Sequence, residues 1–241
     1  MVAIHRLRHL ARTAHAQGRK VLFLTYGNRL PSVAFYLWQR RAGADAPELE
    51  AVECTTVHRW CAKYRGRHGV HMNVADGQAR SRLLEGAIDQ AFDRKPDLKM
   101  WDRPDRFFAD EISTAIKGHA VSSLDDYLAL DRSGRGSALQ PSERRAAWAV
   151  YEAYQEEMSA RGLCDWDDFV LRALELVRSD KAPPDYAAAV VDEIQDLSAA
   201  VMMLVREIVP EGDNDLFLVG DGLQRIYPGG YVLGRLGVDI V

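Results

Sequence analysis

Two stretches near the C-terminus place acidic residues directly after short apolar runs: Val190-Val191-Asp192-Glu193-Ile194-Gln195-Asp196, and Leu218-Val219-Gly220-Asp221-Gly222-Leu223-Gln224-Arg225-Ile226-Tyr227. An aliphatic run with no polar alternation is the pattern of a strand buried on both faces, and such strands belong to parallel sheets covered by helices. A carboxylate at the end of such a strand emerges at the C-terminal edge of the sheet, where open α/β folds bind their ligands. An acidic pair after a strand is also what a helix-capping turn requires, so the first stretch alone leaves both readings open.

The rest of the chain supports the α/β reading at its two ends. Ala3, Leu7, Leu10 and Ala14 recur at helical spacing and Gly18 follows as a stop, so the chain is expected to begin inside a helix. Lys20 to Tyr26 and Glu50 to Thr55 read as strands, each followed by a helix. A helix through Phe169, Val170, Ala173, Leu174 and Val177, a Pro183-Pro184 break and a strand from Ala187 to Val191 come later. Ser198 then caps a helix bearing Val201, Leu204, Val205 and Ile208, ahead of the strand Leu216 to Val219. Val238 to Val241 reads as one more strand, cut short by the chain end.

Residues 62–162 have a different character, with helical stripes and no strand pattern. Leu83, Leu84, Ala87, Ile88, Ala91 and Phe92 form one stripe; Phe107, Phe108, Ile112, Ala115 and Ile116 form another, with Gly118 as its expected stop. Ser123 and Asp126 make a capping box, and Pro141-Ser142 opens a helix whose Trp148, Tyr151, Tyr154 and Met158 read as core. Residues 131–137 have loop composition. The expected organisation is therefore an α/β unit over residues 1–61 and 163–241, interrupted by an all-helical insertion over 62–162.

Bulk composition removes other classes. The 241 residues are 47% hydrophobic and 27% charged, with apolar runs too short for a bilayer and no signal-peptide core, which points to a cytoplasmic globular protein. Three cysteines without a C-x-x-C pair fit reduced thiols. Cys54, His58 and Cys61 with His68 or His71 offer a zinc set in principle, but the spacing is not a usual zinc pattern. No acidic residue precedes Asp45, whereas Arg6, Arg8, Arg12, Arg19, Lys20, Arg29, Arg40 and Arg41 do. That basic fifth suits a phosphate-facing surface, and a solvated helix face accounts for the spacing equally well.

In chemical terms, Asp192 is placed to hold magnesium through its hydration shell, and Glu193 to orient or deprotonate an attacking water. Gln224, after the second strand, has an amide able to sense a γ-phosphate and pass its state to the neighbouring Tyr227.

Taken with three further segments, these motifs resemble the first motor domain of the UvrD/Rep-type superfamily 1 DNA helicases. Residues 22–29, Leu-Phe-Leu-Thr-Tyr-Gly-Asn-Arg, resemble motif Ia, and residues 55–61 resemble the T-x-H element of motif Ib. Asp165-Trp166-Asp167-Asp168-Phe169 resembles the D-F-D-D-L before motif II, and the two opening stretches match motifs II and III. The two C-terminal motifs are the specific ones.

The resemblance implies a RecA-like parallel sheet of the P-loop NTPase type, using ATP and magnesium and moving 3′ to 5′ on single-stranded DNA. It makes Tyr26, Asn28, Thr56 and His58 DNA contacts and Tyr227 the coupling residue between DNA and nucleotide. Asp192, Glu193 and Gln224 become the catalytic and nucleotide-binding set, with Asp192 holding the metal.

The chain also departs from the family. Gly229 stands where members usually carry an aromatic ring, so the stacking platform there depends on Tyr231. No G-x-x-x-x-G-K-[ST] phosphate loop occurs, because the first residues align with the helix that follows it in the family, and the second motor domain has no counterpart here. The expectation is a truncated helicase fragment, nearly inactive alone; the alternative is a non-catalytic DNA- or protein-binding module that keeps the scaffold.

Overall fold

The computed structural model describes residues 2–27, 36, 39–40, 46–132 and 138–220. Helix α1 (Val2–Ala16) leads through a tight turn into β1 (Lys20–Thr25), and β2 (Val52–Thr56) into α2 (Val57–Arg67). Next come β3 (Asn73–Val74), α3 (Gly77–Arg94), α4 (Asp105–Asp110), α5 (Leu124–Ala129) and α6 (Pro141–Ala160). Then follow β4 (Leu163–Cys164), α7 (Trp166–Ser179), β5 (Tyr186–Val191), α8 (Ala199–Ile208) and β6 (Leu216–Leu218).

The main sheet has the order β2-β1-β5-β6, with every neighbouring pair parallel. Phe23 lies opposite Cys54 on one side and Val190 on the other, and Val190 opposite Phe217. Strand alternation then divides the apolar residues between two cores. Val21, Phe23, Ala188 and Val190 pack against Leu7, Ala11 and Ala14 of α1. Leu22, Leu24, Ala189 and Val191 face the opposite layer, built by Trp60 and Tyr64 of α2, Phe169 and Leu174 of α7, and Val205 of α8. Burial on both faces is why these strands read as unbroken apolar runs.

Local signals set the ends of these elements. Gly18 has φ +66°, and the Arg19 N–H reaches back to the Ala14 carbonyl at 2.9 Å, the left-handed stop that glycine adopts without a Cβ penalty. Ser198 accepts from the Val201 N–H to start α8. Asp165 accepts from the Asp167 and Asp168 N–H groups, and Asp168 returns a bond to the Asp165 N–H, making a reciprocal cap on α7.

A third core lies away from the sheet, where Leu83, Leu84, Ala87 and Ala91 of α3 pack with Phe108, Ile112, Tyr127, Trp148, Val150 and Tyr154. The aromatic stripe of α6 is buried packing, as its spacing predicts. Three details differ from the sequence expectation. The helical stretch contains β3, which pairs with β4 over two residues, too few for a period-2 pattern to show. α2 runs on to Arg67 with Tyr64 in the sheet core, so residue 61 falls inside a helix that belongs to the sheet layer.

The third difference is at Gly118. Helix α4 widens into a π-helical segment (Glu111–Ile116) and a 3-10 turn, and the left-handed stop is Ala120, with φ 52° and ψ 38°. Gly118 is needed for close approach instead, since a Cβ there would lie 2.8 Å from the Ser113 carbonyl oxygen.

That π segment delivers Lys117 to a fully enclosed site. Its Nζ lies 2.7 Å from Asp165 Oδ2 and 2.7 Å from Asp168 Oδ1, with none of its side chain exposed. Burial alone would push the ammonium pKa down, but the two carboxylates hold it above its ordinary value. Ser113 Oγ donates to Asp167 Oδ2 at 2.6 Å beside them. Burial first, and then the Asp165 charge, push the Asp167 carboxyl up to about 6.

Lys117→Met leaves two buried carboxylates without their cation and is expected to lower unfolding free energy in urea by about 3–5 kcal/mol; a loss under about 1 kcal/mol would show that the clamp carries little stability. For Asp167, a raised native pKa means that its carboxyl favours folding below pH 3.8, and that this preference is lost as pH rises through about 6. Asp167→Asn cannot ionise, so it should stabilise the fold above pH 6 by about 1–3 kcal/mol, the advantage fading below about pH 4. Urea titrations at pH 4 and pH 7.5 measure this.

Candidate functional site

Because all four main strands are parallel, Tyr26, Thr56, Asp192 and Gly220 leave the sheet at one edge. Backbone bonds lock the exits together. The Asp192 N–H donates to the Leu24 carbonyl at 2.9 Å, the Val219 N–H to Val191 at 2.8 Å, and the Ile194 N–H to Val219 at 3.0 Å. Between these anchors Glu193 adopts the left-handed conformation, φ 55° and ψ 46°, which is strained for a residue with a Cβ. The strain follows from geometry: the chain must turn from the end of β5 into a 3-10 turn (Ile194–Asp196) while both neighbours stay bonded to the sheet.

The β6 exit closes on this turn with no slack. A Cβ on Gly220 would sit within 2.5 Å of Gln195 Oε1, closer still to Ile194 Cγ2, and 3.2 Å from the Ile194 nitrogen. A side chain at 220 would have to displace the Ile194 and Gln195 side chains, which glycine avoids. The Gln195 amide donates to the Glu193 carboxylate and so orients it from within the same turn.

Charge at the turn is concentrated and partly desolvated. Burial, and then the neighbouring Glu193 carboxylate, raise the pKa of Asp192, and the same two causes in the same order raise that of Asp196. Asp196 Oδ1 and Thr25 Oγ1 are both buried without a hydrogen-bond partner. Carboxylates that repel one another beside orphaned oxygens form a hard, oxygen-rich environment suited to a divalent cation. Among the described residues no three His, Cys, Asp or Glu side chains converge as a complete metal-ligand set. A magnesium ion needs only one or two carboxylates when phosphate oxygens and water complete its shell.

At the β1 and β2 exits the surface is aromatic. Tyr26 is 45% exposed. Its ring lies 6.3 Å from that of His58, edge to face, and His58 lies 5.5 Å from Trp166 in the same manner. Trp166 is 50% exposed and also touches Phe169, over whose ring the Arg65 guanidinium is placed at 3.7 Å. Burial holds the His58 imidazole below its ordinary pKa, against a bond to the Trp166 backbone that raises it, so the ring is neutral at pH 7. Thr56 is only 3% exposed, and its hydroxyl accepts from the Arg59 N–H as the cap of α2. It therefore faces the helix end and not the surface.

Asn28, Gln224, Tyr227, Gly229 and Tyr231 lie outside the described residues. Of the sequence candidates, Asp192 and Glu193 come together at one turn, while Tyr26, past the end of β1, meets His58 of α2, which in turn meets Trp166 of α7. Trp166, Gln195, Thr25 and the tight fit at Gly220 were not singled out from the sequence. The available signal was a tryptophan in the opening turn of a helix, between aspartates that cap it. Cys61 is buried and Cys54 half-buried, and burial pushes both thiols up to about 12. No helix among the described residues is long and apolar enough to cross a membrane.

The family model described as UvrD/REP helicase N-terminal domain matches residues 1–228. The chain is 25% identical over 226 residues to ATP-dependent DNA helicase UvrD1 of Mycobacterium tuberculosis (strain ATCC 25618 / H37Rv), covering 86% of this chain and 27% of that protein. It is 26% identical over 234 residues to ATP-dependent DNA helicase UvrD2 of the same strain, covering 92% and 32%. With ATP-dependent DNA helicase PcrA of Leuconostoc citreum it shares 25% identity over 241 residues, covering 94% and 29%. The chain thus spans about a quarter to a third of the length of these relatives. It belongs to the UvrD/REP helicase N-terminal domain family.

Proposed function

We propose that this chain is the ATP-hydrolysing, DNA-tracking part of a DNA helicase that moves 3′ to 5′ on single strands. The observation that carries the reading is the interlock of the Asp192-Glu193 turn with the Gly220 exit at the edge that also bears Tyr26 and His58. Nucleotide chemistry and strand contact then share one rigid sheet edge, as a motor coupling hydrolysis to movement requires.

When bound, ATP with magnesium supplies a phosphoryl group whose transfer to water releases the driving energy. Asp192, desolvated beside Glu193, holds the cation through its hydration shell. Glu193, oriented by the Gln195 amide, accepts the proton of the attacking water. Gln224 reads the γ-phosphate and Tyr227 passes its state to the strand. Tyr26 and His58 contact the bases and Asn28 joins that surface, while Thr56 caps α2 beneath it. The helical core from α3 to α6 is an inserted domain, with its boundaries after α2 and near β4.

The 241 residues contain no phosphate-loop motif and no second motor domain to supply an arginine finger. ATP hydrolysis by the isolated chain should therefore lie roughly 10³-fold or more below that of a protein joining it to both. In that larger protein Glu193→Gln should lower turnover by about 10²–10⁴-fold with little change in KM for ATP. An unaffected Glu193→Gln variant would refute the assignment, and a robust DNA-stimulated ATPase from the isolated chain would refute its dependence on those two missing parts. Gly220→Ala, which drives a methyl group into Ile194, should displace the Glu193 turn and cut turnover at least about tenfold, for a loss of unfolding free energy of about 1–3 kcal/mol.

A further inference from the structure

We propose that the cleft between α3, α6 and the π-helical segment after α4 binds a small, neutral aromatic carboxamide. The site lies in the helical core, apart from the sheet edge that carries Asp192 and His58, so it stands whether or not that edge works as proposed.

The cleft has a volume of about 190 Å³. A cavity of about 150 Å³ is enough for a benzene ring, so this one holds a ring with one small substituent. Gly77 and Ser81 in the opening turns of α3 are exposed, whereas Leu84, Ile112, Tyr154 and Asp165 are buried. The cleft therefore opens at the start of α3 and reaches inward to the carboxylate that caps α7. Leu84, Ala109 and Ile112 give an apolar wall for the ring.

The polar groups in the wall call for an amide. Arg80 Nε is buried without a hydrogen-bond partner, which leaves one donor over. Two hydroxyls beside it have their protons already engaged: Ser81 Oγ donates to the Gly77 carbonyl at 3.1 Å, and Ser113 Oγ to Asp167 Oδ2 at 2.6 Å. Their lone pairs can still accept. One surplus donor beside two acceptors matches a carboxamide, whose oxygen accepts and whose nitrogen donates.

Charge decides against an ion. The cations at this end of the core are Arg80 and Lys117, and the anions that hold Lys117 are Asp165 and Asp168. Asp167, its carboxyl pushed up to about 6 by burial first and then by Asp165, adds a third negative charge at pH 7.5. An incoming carboxylate would be repelled by all three while losing its hydration. An ammonium has no lone pair to take the Arg80 Nε–H. A neutral amide takes it without bringing a charge.

The test is saturation-transfer NMR of the 241-residue chain at pH 7.5, with benzamide, benzoate and benzylamine as probes. Benzamide should bind with a Kd of about 1–10 mM, ordinary for so small a molecule, and the two ions at least about tenfold more weakly. Arg80→Met removes a charged donor and should weaken benzamide at least about tenfold, with the urea unfolding midpoint reporting that the variant folds. Arg80→Lys keeps the charge but withdraws the Nε–H; it should show the same loss, and it decides the matter if Arg80→Met does not fold. Benzamide that fails to saturate by about 50 mM, or that binds the Arg80 variants as tightly as the parent, would overturn the site. Benzoate or benzylamine binding as tightly as benzamide would overturn the ligand class.

Discussion

A buried ammonium group must be paired, and the way Lys117 is paired ties the halves of this molecule together. Its partners Asp165 and Asp168 stand 48 and 51 residues away, on a helix whose far side packs against the sheet. Ions removed from water at this depth cost several kcal/mol each unless the geometry satisfies them fully. The π-helical widening of α4, the glycine at 118 and the reciprocal cap of α7 all serve that geometry. Through it the helical core sets where α7 begins, and the start of α7 sets where Trp166 meets His58.

Features that depend on a few consecutive residues could be read directly. The strands around Phe23 and Val190 announce themselves as apolar runs because both faces are buried. The caps at Ser123 and Ser198 follow from side-chain oxygens three residues before a backbone N–H. Features that depend on partners distant in sequence could not be read. Lys117 looks like any surface lysine until Asp165 arrives, and the stop at Ala120 overrides the more obvious Gly118 because that glycine is needed for close packing.

The same division holds at the candidate site. That Asp192 and Glu193 sit at a strand exit was readable, because the apolar run before them has one plausible role in an α/β fold. That Glu193 turns through a left-handed conformation was not, since the constraint comes from Leu24 and Val219 on neighbouring strands. Thr56 shows the converse: a motif gives the residue type, but burial decides whether the hydroxyl faces a ligand or a helix end.

The missing Cβ at Gly220 has a mechanical consequence. Side chains in contact act as springs, since rotamers can turn and absorb part of any displacement. Where Gly220 meets Ile194 there is no such spring on the glycine side: bare main chain seats against the nitrogen and methyl group of a β-branched residue. With no side chain of its own to turn aside, the β6 exit leaves any adjustment at this joint to Ile194 and Gln195.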